Sequence, residues 1–87
     1  MLLAKVVGTV VASRKDPGLE GVKLLLIQPL ANDHKPQGKP LVALDSVGAG
    51  ASEEVFYVRG REAAFPFLPR EVPADATIIG IVDEWTA

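Results

Sequence analysis

The sequence predicts a small all-β domain, a five-stranded OB-like barrel with one or more short helical turns. Seven prolines and eight glycines divide the chain into short apolar segments. No segment keeps the 3.6-residue period of a helix for long enough to predict one with any length. Five segments are rich in apolar and β-branched residues and are separated by polar turn clusters, a pattern typical of a closed or partly open barrel.

Length and composition predict a single domain that associates with other chains. The 87 residues fit one domain, 1–87. A domain of this size buries only about 60% of the surface of its unfolded chain, and there is no cysteine to form a disulfide. Hydrophobic residues make up 48% of the chain, with a mean hydropathy of +0.25. We therefore expect an oligomer in which part of the apolar surface faces other subunits.

The charge and the amino-terminal residues argue against nucleic-acid and membrane partners. The formal net charge is −2 and the pI is about 5.2, whereas nucleic-acid binders carry a basic excess. The apolar run that begins at Met1 contains Lys5 and has neither a basic leader nor a cleavage site. No run approaches the roughly 20 apolar residues of a membrane span. We expect a cytoplasmic protein.

The first two strands are predicted at 3–13 and 22–30. Segment Leu3–Ser13 is rich in β-branched residues and apolar on both faces, which is typical of a strand covered by its own core and by a neighbour. The turn cluster Arg14–Gly18 ends it. Segment Val22–Leu30 has four consecutive aliphatic residues at its centre, and Pro29 is tolerated near its end because a strand terminus can lose a backbone donor.

The second half of the chain supplies a loop, three more strands and one helical turn. Segment Ala31–Pro40 contains Asn, Asp, Gly and two Pro residues and is predicted to be an exposed loop. The remaining strands are predicted at Leu41–Asp45, Val55–Arg59 and Thr77–Val82. Between the last two, Glu62–Phe65 is predicted to form a helical turn that the following prolines keep short.

No catalytic, cofactor or metal site is predicted. The single histidine, His34, lies in the predicted loop and is interpreted as solvated, because zinc sites need several His or Cys ligands. Glu53 and Glu54 are adjacent, so in a strand they point to opposite faces and cannot converge on one substrate atom. They are interpreted as solvated charges. The segment Gly48–Ser52 is predicted to form a tight backbone corner rather than a phosphate site, because no helix follows it. We do not expect an enzyme.

An OB-like barrel also raises the alternative of a binding module for single-stranded nucleic acid or a small ligand. Such folds stack bases on aromatic side chains beside basic ones. Phe56 and Tyr57 lie near Arg59 and Arg61 in the sequence. The negative net charge makes this alternative the less favoured one.

Four strings, taken together and in order, resemble the EutN/CcmL family of bacterial microcompartment vertex proteins. They are GTVVASRK (8–15), LEGVKLLLIQPL (19–30), DSVGAG (45–50) and DATIIGIVD (75–83). Each string is weak alone, but the combination covers nearly the whole chain and is specific.

The resemblance implies a structural shell protein rather than an enzyme. Its barrel would assemble into a cyclic homopentamer that caps the vertices of a polyhedral microcompartment in the cytoplasm, in contact with hexameric shell proteins. Cofactors and metals are not implied. A head-to-tail interface can close into a ring in this way.

The resemblance also implies a subunit-interface loop near the shared axis. Its residues in this chain are Asp45, Val47, Gly48, Ala49, Gly50 and Glu53. Two departures from the family pattern occur. Ser52 stands where the family has a glycine before its glutamate, and Gly60–Phe65 replaces a Gly-Ser-x-Ala-Arg segment. The matching Gln28 and Pro29 are expected to fix a strand end.

Overall fold

The computed structural model describes residues 1–11, 17–19, 21–68 and 75–83. These residues form five strands and two 3₁₀ segments. The strands are β1 (Leu2–Val10), β2 (Lys23–Leu30), β3 (Leu41–Asp45), β4 (Glu54–Arg59) and β5 (Ala76–Ile81). The 3₁₀ segments are Pro17–Leu19 and Gly60–Phe67.

The strands close into a barrel in the order β1-β2-β3-β5-β4. All neighbouring pairs are antiparallel except β3 and β5, which are parallel. The predicted all-β, five-stranded OB-like barrel is therefore confirmed. No helix among the described residues is long and apolar enough to cross a membrane.

The strand boundaries differ from the predicted ones by a few residues. β1 ends at Val10 instead of Ser13, and Val11 belongs to no regular element. Residues 12–16, with most of the predicted turn Arg14–Gly18, lie outside the described part of the chain.

The core consists of alternate residues from all five strands. The side chains that face inward come from every second position, as the two-residue period of a strand requires. Ile27, Val55 and Ile78 are fully buried. The buried cluster is Ala4, Val6, Leu25, Ile27, Ala43, Ala49, Val55, Tyr57, Ala76 and Ile78.

One end of the barrel is covered by the second 3₁₀ segment. Ala63 is fully buried there, and its carbonyl accepts a hydrogen bond from the buried Thr77 hydroxyl. Phe67 packs against a second small cluster that contains Val22 and Leu44. The segment is longer than the predicted turn Glu62–Phe65 and includes Pro66. A 3₁₀ segment uses i to i+3 hydrogen bonds, and the Leu68 amide continues that pattern to the Phe65 carbonyl.

A bulge interrupts β1 at Val7. Val6 pairs with Ile27 and Gly8 pairs with Leu26, so Val7 is the extra residue, with its side chain 51% exposed. β1 pairs with β4 through Leu2–Lys5. Bulges bend a strand and increase its twist. The second half of β1 accordingly remains paired with β2 after its pairing with β4 has ended.

Candidate functional site

All six residues of the predicted interface loop lie together between β3 and β4. Asp45 is the last residue of β3, and Glu53 immediately precedes β4. The four other residues lie in the connection: Val47, Gly48, Ala49 and Gly50. We refer to residues 45–53 as the glycine loop.

The Asp45 carboxylate shapes the first turn of the glycine loop. Its Oδ1 accepts hydrogen bonds from the amides of Val47 and Gly48, each at 3.0 Å. Such a carboxylate replaces the backbone acceptor that a tight turn would otherwise need. Gly48 has φ +81°, in the left-handed region that glycine adopts without steric cost.

Glu53 shapes the second turn in the same way. Its Oε1 accepts a hydrogen bond from the Gly50 amide at 2.6 Å. A Cβ atom at position 50 would lie 3.2 Å from that oxygen, so a side chain there would crowd the carboxylate against the amide that it accepts from. The interpretation of Glu53 as a solvated charge is wrong, because this carboxylate caps the loop.

The centre of the glycine loop is anchored in the barrel. Ala49 is fully buried in the core cluster, and its carbonyl accepts a hydrogen bond from Lys23 Nζ at 3.1 Å. The Ser46 hydroxyl donates to the Ile78 carbonyl at 2.6 Å, which joins the end of β3 to β5. Val47, by contrast, is 40% exposed. The loop therefore presents a fixed outer surface on a buried base.

The hydrogen-bond pattern explains why this loop is a backbone corner. The amides of Val47, Gly48 and Gly50 donate to carboxylates of the loop itself. A phosphate would have to compete with a carboxylate at each of these donors. The geometry thus favours the predicted structural corner over an anion site.

Ser52, which stands where the family pattern has a glycine, adopts a backbone conformation that glycine favours. Its φ is +70°, a region in which an L-residue with a Cβ is strained by about 1–2 kcal/mol. The Ser52 amide donates to the Val6 carbonyl, and the Val6 amide donates to the Glu53 carbonyl, both at 2.9 Å. These bonds hold the strained residue against β1 at the bulge.

The predicted loop 31–40 is folded against the barrel. The Ala31 amide donates to the Lys35 carbonyl at 2.8 Å, and the Gln37 amide to the Pro29 carbonyl at 2.9 Å. Gln28 Nε2 donates to the Gly38 carbonyl at 3.1 Å. This bond links Gln28, near the end of β2, to the loop.

His34 is not the solvated loop residue that was predicted. Its Nδ1 contacts the Glu54 carboxylate, and the two side chains are only 22% and 31% exposed. The contact joins the loop to β4, so Glu54 is not simply a solvated charge either. His34 has φ +65°. No short-range sequence signal indicates its contact with Glu54, because the two residues lie far apart in the chain.

An open cleft of about 620 Å³ lies at the end of the barrel where β1 begins. Leu2, Pro29 and Leu30 line it with Phe56 and Tyr57. Tyr57 is a core residue, 4% exposed, and burial raises the pKa of its phenol, with the Arg59 guanidinium opposing the shift. A buried ring cannot stack on a base, and Arg59 already pairs with Asp75 at 3.1 Å. The geometry therefore gives the nucleic-acid alternative little support.

Within the part of the chain that the structure describes, no group of three or more His, Cys, Asp or Glu residues is placed to hold a metal ion.

The sequence did not predict the roles of Lys23 and Ser46 in anchoring the glycine loop. Lys23 pairs with Asp45 across β2 and β3. This pairing places Lys23 beside the glycine loop, but it can be predicted only when the strand register is known.

Comparisons with known proteins place this geometry in one family. A family described as "Ethanolamine utilisation protein EutN/carboxysome" matches residues 1–83. The carboxysome shell vertex protein CcmL of Synechocystis sp. is 47% identical over 83 residues, covering 95% of this chain and 83% of the relative. The microcompartment shell vertex protein EutN of Salmonella typhimurium is 39% identical over 87 residues, covering 100% of this chain and 88% of the relative.

Solved structures show the same likeness in three dimensions. The GrpN pentameric microcompartment shell protein from Rhodospirillum rubrum superposes with a TM-score of 0.89 at 38% identity. That alignment covers 100% of this chain and 99% of the other. Gloeobacter violaceus CcmL gives a TM-score of 0.90 at 40% identity, covering 100% of this chain and 90% of the other.

Replacing Ser52 with glycine should stabilise the protein. The substitution removes the left-handed strain at φ +70°, and we expect the free energy of unfolding to rise by about 1 kcal/mol after the entropy cost of glycine. Urea unfolding should be measured at one fixed subunit concentration, because association adds stability by mass action. Ser52→Ala is the matched control, since it removes the hydroxyl but keeps the strain. A Ser52→Gly variant no more stable than Ser52→Ala would contradict the strain argument.

Proposed function

The chain belongs to the EutN/CcmL family, and from this membership we propose that it is a structural protein whose pentamers cap the vertices of a polyhedral microcompartment shell. The observation that carries the proposal is the full-length match, in both sequence and fold, to proteins named as shell vertex or pentameric shell proteins. Its location is accordingly the shell of a bacterial microcompartment.

The surface of the barrel supports association. Several large apolar side chains are exposed on a domain of only 87 residues. They include Val7 at 51%, Val11 at 91%, Val42 at 48%, Phe65 at 60% and Leu68 at 64% exposure. Where such side chains lie together, the exposed apolar surface is typical of a protein–protein contact. Burying it between subunits would add the stability that the small core lacks.

A pentamer has a defined geometric use in a closed shell. A flat layer of six-fold tiles cannot close on itself, whereas five-fold positions introduce the curvature that a polyhedron needs. We therefore propose hexameric shell proteins as the partners of the ring. The pentamer would meet them through its outer rim, because the inner faces are taken up by contacts between its own subunits.

The family is one of structural shell proteins, and we propose no catalytic role for this chain. The two carboxylates of the glycine loop are engaged in backbone turns. The OB-like binding module remains the second candidate only by fold analogy, since its aromatic Tyr57 is buried in the core.

We assign the glycine loop to the contact between subunits near the ring axis. Two of its exposed residues, Val47 and Gly48, lie on a base fixed by Asp45 and by buried Ala49. A rigid loop with a small exposed residue permits the backbone of a second subunit to approach closely.

The mass of the intact assembly tests the proposed function first. Native mass spectrometry across a wide range of concentrations should show a species of five subunits. A protein that stays monomeric or dimeric over that range would overturn the vertex role, and fluorescence anisotropy with single-stranded oligonucleotides at low salt would then test the binding module.

Co-expression with a hexameric shell protein tests the proposed partner. We expect closed polyhedral particles in electron micrographs when both proteins are present, and open sheets or tubes when this chain is omitted. Particles that close equally well without it would contradict a vertex-capping role, even if the pentamer itself forms.

Replacing Gly48 with tryptophan should prevent ring assembly if the glycine loop lies at the interface. Gly38→Trp is a matched control, because Gly38 and Gly48 have φ of +86° and +81° and a Cβ at either position would meet no atom within 4 Å. Both variants therefore carry similar backbone strain. Size-exclusion chromatography with light scattering should show a smaller species for Gly48→Trp alone. Equal assembly of the two variants would remove this loop from the interface.

A further inference from the structure

A row of polar residues crosses the outer face of the barrel. Lys5 of β1 pairs with Gln28 of β2 on one side and with Glu54 of β4 on the other. Directly paired residues point to the same face of a sheet. Lys5 is exposed, whereas its neighbours Ala4 and Val6 belong to the buried core. The row therefore lies outside, and its two ends, Gln28 and Glu54, are two strands apart, about 9–10 Å.

The loop that follows β2 reaches across this row. We refer to residues 31–38 as the crossing loop. At one end of the row, Gln28 Nε2 donates a hydrogen bond to the Gly38 carbonyl at 3.1 Å. At the other end, the Glu54 carboxylate contacts His34 Nδ1. The crossing loop is thus bonded to β2 and to β4, and it passes over β1 between them.

The crossing loop forms one wall of the cleft at the start of β1. Leu3 pairs with Leu30 and Phe56, and all three residues line the cleft. Because Leu3 lies two residues before Lys5, this second row is also on the outer face. Leu3 is nevertheless only 9% exposed. The residues of the crossing loop that line the cleft are Ala31, Asn32, Gln37 and Gly38. The position of the loop therefore sets the width of the cleft and the exposure of Leu3.

His34 is turned toward the barrel at the tip of the crossing loop. Asp33 and Lys35 on either side of it are exposed, whereas the His34 side chain is only 22% exposed. Its amide donates to the Ala31 carbonyl at 2.9 Å, and its φ of +65° is uncommon for a residue with a Cβ. A residue stays in such a conformation only where its surroundings fix it. The contact with Glu54 is one of the interactions that do so.

The charge of the imidazole changes the strength of this contact. Histidine is the side chain that gains or loses a proton between about pH 5 and pH 8. A hydrogen bond from a protonated imidazole to a carboxylate is charge-assisted and about twice as strong as a neutral one. The Glu54 side chain is 31% exposed, so solvent screens the contact only in part.

The other charged groups around the pair are of both signs. Lys5 lies beside Glu54 in the outer row, where its ammonium attracts the carboxylate and repels a protonated imidazole. On the crossing loop, the Asp33 carboxylate accepts a hydrogen bond from the Lys35 amide at 3.1 Å. Asp83 is exposed just after β5, the strand on the other side of β4. Two lysines and two aspartates offset each other, so the carboxylate in direct contact, that of Glu54, has the largest effect.

We propose that His34 is a pH-sensitive latch of the crossing loop. At low pH the protonated imidazole holds the tip of the loop on Glu54, across β1. As the pH rises and the imidazole loses its proton, the tip leaves β4 more often, the cleft widens and Leu3 becomes exposed. The inference goes beyond the proposed function, because it concerns a single barrel and does not depend on the number of subunits.

Nuclear magnetic resonance of the unmodified chain tests the latch, because the sequence contains one histidine and the imidazole signals are therefore those of His34. The imidazole and the Leu3 methyl signals should be followed between about pH 5 and pH 8. We expect the Leu3 signals to shift with the same midpoint as the imidazole. Hydrogen exchange of the His34 amide, corrected for its intrinsic pH dependence, should be about threefold faster at the upper end of the range. A Leu3 signal and a His34 amide that do not respond while the imidazole titrates would overturn the proposal.

Substitutions at the two ends of the contact identify its partners. Glu54→Gln removes the charge but keeps an oxygen that accepts a hydrogen bond. His34→Asn removes the titrating group but keeps a residue that adopts a left-handed backbone readily. In both variants the pH-dependent shift of the Leu3 signals should be lost.

Lys5→Gln is the matched control, because it removes a charge from the same outer row and leaves the pair intact. Its Leu3 signals should respond to pH as those of the unmodified chain do. A full response in Glu54→Gln, or a response lost in Lys5→Gln, would show that the contact of His34 with Glu54 is not the latch.

Discussion

The structure depends on two carboxylates that satisfy the backbone donors of the glycine loop. Asp45 and Glu53 are at the two ends of the connection between β3 and β4, and between them they accept three amide hydrogen bonds. Of these three amides, that of Gly50 is partly buried, and an unpaired buried amide costs about 1–3 kcal/mol. Because these donors are satisfied locally, the chain can bring Ala49 into the core without a helix between the two strands.

The position of the glycine loop in turn determines how β1 is used. Residues 52 and 53 bond to Val6, and the bulge at Val7 follows directly. After the bulge, β1 pairs only with β2 among the described strands. The strain at Ser52 is maintained by the same bonds that anchor it to β1. A loop that folded differently would alter the path of β1 as well as the loop surface, so the glycine loop and β1 form one structural unit.

The sequence was sufficient for the strands and for the members of the glycine loop, because both depend on local signals. Period-two patterns and turn residues predict strands, and the D-x-VGAG string carries the family resemblance. Contacts between distant residues were not accessible in this way. The contact of His34 with Glu54 and the bond from Lys23 to Ala49 arise from barrel closure. Gly8, a glycine inside a strand, is a weak local signal of the bulge. The effect of the bulge on strand pairing depends on which strands are neighbours, and this is not a local property of the sequence.

The exposed apolar residues are consistent with a fold that is completed by assembly. In a monomer, exposed Val7, Val11 and Val42 would promote open-ended association. A head-to-tail contact avoids that outcome only when its rotation closes the ring, because a closed ring has no free contact surface left. Ring closure then adds stability that depends on subunit concentration, and the small core does not have to supply it alone. The exposed apolar surface that would cause a monomer to aggregate is thus the surface that a vertex protein needs for assembly.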